Sequence, residues 1–267
     1  MTRSLFVLTF AIALVACDSS STGLDGNAPP PLPAAAFELN ADAFPGPSSG
    51  LEADASTARL ATGANYLNAA ARVGIVSTVV GLNLVLPVEA TRRVTRDEPT
   101  VEDGVWTWER TTDVLGTLVD LELTARADGS EIDWRLTSTV EDGDPFTFYT
   151  ATTDLSGETG SWRLFNPDEA GSVGSADLAV LEADFDVRDL DDREVTFSVP
   201  NSRDNGGSTV LYRTDDDEQT FDWLDQPEDD RALIVWDLDT REGSIVADTY
   251  NSGERACWDS DLEDVEC

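Results

Sequence analysis

The sequence predicts a mainly β protein: a single antiparallel meander sheet, or an open or partly closed barrel, of about 10–11 strands. From residue 101 onward, polar and apolar residues alternate with a period of two, and the alternating segments are rich in β-branched and aromatic residues. Asp-Gly pairs, as at 128–129 and 142–143, separate several of these segments and are typical of hairpin turns. A segment at about 53–86 lacks the alternation, and we expect it to be a helical or apolar piece packed on one side of the sheet.

Few stretches between the alternating segments are long enough for a crossover helix, so consecutive strands should pair as hairpins. The predicted strands are 105–108, 118–123, 132–136, 146–149, 162–165, 178–187, 195–199, 209–212, 221–224, 233–236 and 245–247. Trp106, Trp134 and Trp162 lie 28 residues apart twice over (134 − 106 and 162 − 134). This spacing predicts a two-strand unit that repeats with each Trp at an equivalent site; chance is the alternative, because the spacing is not kept later.

The segment 53–86 has two parts. Ala53 to Arg72 is rich in alanine and predicts a helix, with Leu60, Ala64, Leu67 and Ala71 at helical spacing. Residues 75–86 (IVSTVVGLNLVL) form the most apolar stretch beyond residue 17, and either helix or strand is consistent with them; we expect Pro87 to end this stretch. The whole segment could be core that covers the concave side of a twisted sheet, or a lid over a cavity for an apolar ligand.

The first sixteen residues have the features of an export signal. Arg3 precedes an apolar run at 5–16, and twelve helical residues span about 18 Å, too short for a bilayer core of roughly 30 Å. Leu14-Val15-Ala16-Cys17 resembles the lipobox of bacterial lipoproteins. The resemblance implies a signal peptide at 1–16, acylation of Cys17 by diacylglycerol and fatty acid such as palmitate, and attachment to a membrane outside the cytoplasm. An ordinary secretory signal that ends near a cysteine is the alternative.

Composition suggests how the rest of the chain is organised. Residues 17–50 are rich in Pro, Ser and Gly, so we expect a flexible tether there and a single mostly β domain at 51–267. The chain has 53 acidic and 17 basic residues, a net charge of -36, with no histidine and with arginine as the sole basic residue type. Such a surface resembles that of proteins from halophilic microbes, and we expect salt to stabilise the fold by screening repulsion. An acidic surface that binds basic partners or cations is the alternative, and nucleic acid is excluded as a partner.

The missing residue types exclude several kinds of catalysis. Without histidine there is no Ser-His-Asp triad and no histidine zinc site, and without lysine there is no Schiff base or P-loop lysine. A carboxylate pair, as in glycosidases, is still available, but among 53 acids such a pair can be drawn anywhere. We therefore assign no catalytic residue and no cofactor, and we expect a protein that is not an enzyme.

Three cysteines and two acidic runs complete the candidate sites. With Cys17 acylated, Cys257 and Cys267 form an even pair in an oxidising compartment, which predicts a disulfide that stops the C-terminus from fraying. Residues 215–218, and the acids between 259 and 264, offer oxygen ligands for calcium but lack the EF-hand pattern of glycine and glutamate. Such runs are usually solvated faces, so we assign no metal site.

Three functions remain open from the sequence. The first is a membrane-tethered, non-catalytic binding or structural module of the cell envelope. The second is a carrier or receptor for lipid or another apolar molecule: the lipobox, the antiparallel strands and the apolar helical cover are similar in outline to the lipoprotein-sorting receptors of the outer membrane. The third is a carboxylate-dependent polysaccharide hydrolase. A cavity lined by Trp and Leu beneath 60–86 would favour the carrier, whereas a cleft with two carboxyl groups flanked by Trp would favour the enzyme.

The lipobox leads to a direct prediction. Cys17→Ser should abolish acylation and leave the precursor uncut, because the hydroxyl cannot replace the thiol that receives the lipid. Metabolic labelling with a tagged fatty acid measures this. Equal label on the variant and the natural chain would refute lipidation at Cys17.

Overall fold

The computed structural model describes residues 28–37, 44–45, 63–114, 117–141, 143–165, 179–189 and 191–267. Within these residues, fourteen antiparallel strands form one open sheet in which every strand pairs with its neighbours in sequence, and one long helix, α1, packs alongside it. The elements are a short 3-10 helix at Ala34–Phe37, α1 Ala64–Val94, β1 Thr100–Glu102, β2 Val105–Val114, β3 Thr117–Asp128, β4 Glu131–Val140, β5 Phe146–Asp154, β6 Thr159–Phe165, β7 Ala179–Val187, β8 Asp192–Ser198, β9 Thr209–Asp215, β10 Glu218–Asp225, β11 Asp230–Asp237, β12 Gly243–Ala247, β13 Ala256–Trp258 and β14 Asp264–Val265.

The prediction of a mainly β antiparallel meander with a helical segment on one side is confirmed. The expected 10–11 strands become fourteen because β1, β13 and β14 have only two or three residues each. Such short strands carry too little alternation to be recognised in a sequence. The sheet stays open: among the described strands, β1 pairs only with β2, and β14 pairs only with β13.

A continuous row of side chains crosses the concave face and explains the 28-residue spacing of tryptophan. Trp106, Trp134 and Trp162 lie on β2, β4 and β6, and each is opposite a small residue, Ala125 or Ala151, of the strand between. The three tryptophans are at most 4% exposed. Large and small side chains thus alternate from strand to strand and fill the space without clashes. The prediction of a repeated two-strand unit is confirmed.

Helix α1 crosses this apolar face from one edge of the sheet to the other. It contacts β12, β13 and β14 at one side of the open sheet and β2 and β3 at the other. Its buried residues recur every three or four positions, as expected for one face of a helix; they are Tyr66, Ala69, Val73, Ser77, Val80, Leu84, Pro87, Ala90, Thr91 and Val94. The helix therefore bridges the two edges of a sheet that does not close on itself.

One prediction about this segment is wrong. Pro87 does not end the apolar stretch, because the helix continues to Val94. Proline removes the hydrogen bond to the carbonyl of Asn83, but Asn83 is exposed and can bond to water, while Pro87 itself is buried against the sheet. Of the residues at helical spacing in its first part, Ala64, Leu67 and Ala71 are exposed, and Tyr66, Ala69 and Val73 are the buried residues of that region. Residues 53–62 lie outside the described part of the chain.

The expected tether over 17–50 is corrected where the structure describes it. Leu32, Ala36 and Phe37 are at most 6% exposed, and the indole nitrogen of Trp162 donates a hydrogen bond to the Ala36 carbonyl at 2.8 Å. Farther along, Phe44 packs against Trp236 with ring centroids 4.9 Å apart. A single helix leaves part of the concave face free, and the apolar residues of this segment occupy it. Residues 17–27 lie outside the described residues.

The C-terminal hairpin holds the beginning of α1. The two carboxylate oxygens of Asp264 accept hydrogen bonds from the backbone N–H groups of Ala64 and Asn65 at 3.1 and 2.9 Å. Gly63 donates to the carbonyl of Leu262 at 2.7 Å, and a Cβ at this glycine would lie 2.2 Å from Asp264. The first backbone N–H groups of a helix have no partner within the helix. Here Asp264, which lies 200 positions after Ala64, accepts hydrogen bonds from two of them.

This cap gives a stability prediction. Asp264→Ala should lower the free energy of unfolding by about 1 kcal/mol, the usual contribution of an N-terminal acceptor. For a domain of this size, the melting temperature should fall by roughly 2–4 °C. Thermal unfolding followed by circular dichroism measures the effect. Asp261→Ala is the matched control, because it removes the same charge from the same loop, yet the Asp261 carboxylate accepts no hydrogen bond from the described residues. Equal melting temperatures for the two variants would contradict the capping role.

Candidate functional site

An apolar groove lies beside α1 at one end of the sheet. This end, called the groove end below, carries the connections between β4 and β5, β6 and β7, β8 and β9, and β10 and β11, because consecutive hairpins of a meander alternate ends. The helix crosses the concave face there without covering it completely. Two depressions of about 250 and 210 Å³ remain between the helix and the strands.

The larger depression has aromatic and aliphatic walls. Its floor is formed by Phe197, Val210 and Trp223, which are register partners on β8, β9 and β10. Ile75 and Val79 of α1 form one wall. The polar rim consists of Asn205, Ser198, Ser208, Thr209 and Asp225. Phe197 and Val210 are buried, whereas Trp223 is only partly buried because the helix leaves this part of the sheet uncovered.

The smaller depression continues along the same side of the helix toward its C-terminus. Leu82 and Leu86 of α1 face Phe148 of β5, Leu164 of β6 and Val180 of β7. A bulge between Leu164 and the next residue interrupts the register of β6 with β7 at this point. Bulges bend a strand and redirect its side chains. The two depressions therefore follow one helix edge from residue 75 to residue 87.

The helix face that borders the two depressions is exposed and uncharged. Ile75, Val79, Leu82 and Leu86 are 66%, 58%, 72% and 63% exposed, and they follow one another at helical spacing. Sixteen consecutive residues, 73–88, carry no charge in a chain of net charge -36. By length and apolar content α1 could cross a bilayer, and a third of its most apolar window is buried in the fold. Contiguous patches of large apolar side chains on a folded surface are typical of contacts with a membrane, a protein partner or an apolar ligand.

Further apolar side chains lie at the groove end. Leu118 and Val140, at the start of β3 and the end of β4, are 57% and 50% exposed. Phe146 begins β5 and packs edge-on against Phe148, which lines the groove. The apolar surface thus extends from the helix to the hairpin connections around it.

The opposite end of the sheet is acidic. Its turns carry Asp191, Asp216, Asp217 and Asp239, and Asp237 is the last residue of β11. The carboxylate of Asp239, followed by desolvation and the charge of Asp237, raises the pKa of Asp217 above its ordinary value. A carboxyl group whose pKa is raised in the folded state reduces the stability of the fold as the pH rises through that pKa. Like charges therefore repel in the folded protein at neutral pH, as the net charge predicts.

The structure brings together only some of the residues singled out in the sequence. Cys257 and Cys267 form a disulfide with Cα atoms 5.4 Å apart. Cys17 lies outside the described residues, so its lipidation stays a prediction. Among the residues that the structure describes, no group of three acids or cysteines is arranged to hold a metal ion. In the second acidic run, Asp259 accepts hydrogen bonds from the backbone of Asp261 and Glu263, and Asp264 caps α1.

Two features of the site were missed in the sequence. The cap by Asp264 has no local signal, because its partners are 199 and 200 residues away. The exposed stripe had a signal, the uncharged run 73–88, but such a run fits a fully buried segment equally well. Of the two interpretations of this segment, core describes the buried face of the helix, and the lid over a ligand cavity stays a prediction.

No known protein family, curated protein sequence or solved structure matches the chain. The groove and the surfaces around it are the features that bear on its function.

Proposed function

We propose that this protein is a membrane-tethered lipoprotein of the cell envelope that binds an acyl chain of a membrane lipid in the groove beside α1, without catalysing a reaction. The observation that carries the proposal is the exposed stripe of Ile75, Val79, Leu82 and Leu86 over two apolar depressions. In a chain with 53 acidic residues, selection for solubility alone would place charges on this face.

The shape and chemistry of the groove suit an acyl chain. From residue 75 to residue 86 a helix advances about 16 Å, so the two depressions together extend over about that length along α1. Each methylene buried there contributes about 0.8 kcal/mol to binding. The absence of charge over 73–88 gives an ionic partner nothing to pair with, whereas hydrocarbon needs no partner for hydrogen bonding.

The lipid anchor predicted at Cys17 would place this groove near its ligand. An anchored protein meets membrane lipid at a high effective concentration, so a groove of modest affinity suffices. Acidic residues occupy the connections at both ends of the sheet, among them Asp144 and Glu228 at the groove end. The uncharged stripe of α1, rather than either end of the sheet, would therefore face the membrane. A second copy of the chain, docked helix to helix, is the alternative occupant that the test below distinguishes.

The proposal predicts the pattern of photolabelling by lipid. The full chain is reconstituted in phosphatidylcholine liposomes that contain phosphatidylcholine with a photoreactive group on its acyl chain. Labelled peptides should map to 75–86 and to the groove floor around Trp223. Leu82→Asp should lower this labelling by about tenfold or more, because a carboxylate is expelled from hydrocarbon.

Val101→Asp is the matched control, since Val101 is 55% exposed, lies on the edge strand β1 and takes the same new charge. Its labelling should equal that of the natural chain. The proposal would be overturned by labelling outside the groove alone, by equal effects of the two variants, or by a cross-linked dimer joined through 75–86 in place of lipid adducts.

A further inference from the structure

A cluster of arginines lies on the convex face of the sheet, away from the groove. The register of β3 to β6 places Thr124, Arg135, Thr150 and Arg163 in one row across the four strands. The next row holds Arg126, Asp133, Thr152 and Ser161. These eight outward-facing residues contain three arginines and one aspartate, so they carry a net charge of +2 on a protein of net charge -36.

Acidic residues border this island on several sides. Asp128, Glu131 and Asp154 lie beyond it toward the acidic end, and Glu122 lies beyond it toward the groove end. Arg163 forms an ion pair with Glu182 of β7 at 2.9 Å. Each of the three arginines is exposed.

Two of the arginines form no ion pair with any residue that the structure describes. Within the described residues, neither Arg126 nor Arg135 has a carboxylate oxygen within 4.0 Å of its guanidinium group. The nearest acid in register with Arg126 is Asp133, and the carboxylate of Asp133 accepts a hydrogen bond from the Thr152 hydroxyl at 3.2 Å. Arg126 and Arg135 occupy diagonal positions on neighbouring strands, roughly 7–8 Å apart. The chain has about three acids for every arginine, so two neighbouring guanidinium groups without an ion pair are not expected by chance.

The cluster surrounds a depression of about 460 Å³. The long arginine side chains stand around a floor of shorter ones, Thr124, Thr150, Thr152 and Ser161. This volume lies within the range of small-molecule sites and exceeds what a single inorganic ion requires. Guanidinium groups bind oxyanions through paired hydrogen bonds, and hydroxyl groups both donate and accept.

We infer that this depression binds a sugar that carries an oxyanion, a carboxylate or a phosphate. Arg126 and Arg135 hold the anionic group, and the threonine and serine hydroxyls bond to the hydroxyls of the sugar. The carboxylate of Asp133 accepts a hydrogen bond from a further sugar hydroxyl. Its negative charge repels the anionic group from that side of the floor. The site is independent of the acyl-chain groove, because it lies on the other face of the sheet and shares no residue with it.

Isothermal titration of the full chain in a neutral detergent, at constant ionic strength, tests the inference. The probes are glucuronate, glucose 6-phosphate, glucose and inorganic phosphate. At least one of the two acidic sugars should bind with about tenfold higher affinity than both glucose and inorganic phosphate, because only the acidic sugars reach both the arginines and the hydroxyls.

Arg135→Gln should lower the affinity for that sugar by about tenfold, while Arg188→Gln should leave it unchanged. Arg188 is an exposed arginine at the acidic end that pairs with Asp186 and Asp192, so its substitution removes the same charge elsewhere. Both positions are on the surface, and equal far-ultraviolet circular dichroism confirms that both variants fold. The inference would be overturned if no acidic sugar binds, if glucose or inorganic phosphate binds as tightly, or if the two variants weaken binding equally.

Discussion

In the part of the chain that the structure describes, a single long helix has to cover the apolar concave face of a fourteen-stranded sheet, and the other features of the fold follow from this constraint. An α-helix is about 10 Å wide, whereas strands are spaced about 4.8 Å apart, so one helix covers only a few strands at a time. The sheet curves around the helix, so that β2 and β3 near one edge and β12 to β14 at the other all contact it. Space that remains is filled by Leu32, Phe37 and Phe44, or is left open as the groove.

The position of the helix depends on contacts at both of its ends. At its start, Asp264 and Leu262 bond to the first backbone N–H groups, and the disulfide between Cys257 and Cys267 closes the loop that carries them. Toward its end, the Thr91 hydroxyl is 3.0 Å from the Tyr149 hydroxyl of β5, and burial raises the pKa of Tyr149 well above its ordinary value. Between these two sets of contacts, in the middle of the helix, the outer face with Ile75, Val79, Leu82 and Leu86 is exposed.

Sequence patterns predicted the strands better than the surfaces. Alternation with a period of two located the long strands, and the spacing of Trp106, Trp134 and Trp162 revealed the repeating unit, because both signals are local. The stripe of Ile75 and Leu82 was not assigned to the exposed side, because apolar residues surround the whole middle of the helix and only packing decides which of them is covered. The Arg126 and Arg135 island was missed for a related reason: its members are neighbours only through strand register.

The claim that the helix leaves an accessible apolar groove is tested most directly by the fluorescence of Trp223. This tryptophan lines the groove, while the other six are at most 5% exposed and lie in the core. In liposomes of phosphatidylcholine with brominated acyl chains, bromine should quench part of the emission of the natural chain, and Trp223→Phe should remove that part. Equal quenching in Trp223→Phe, or no quenching of the natural chain, would contradict an acyl chain in the groove.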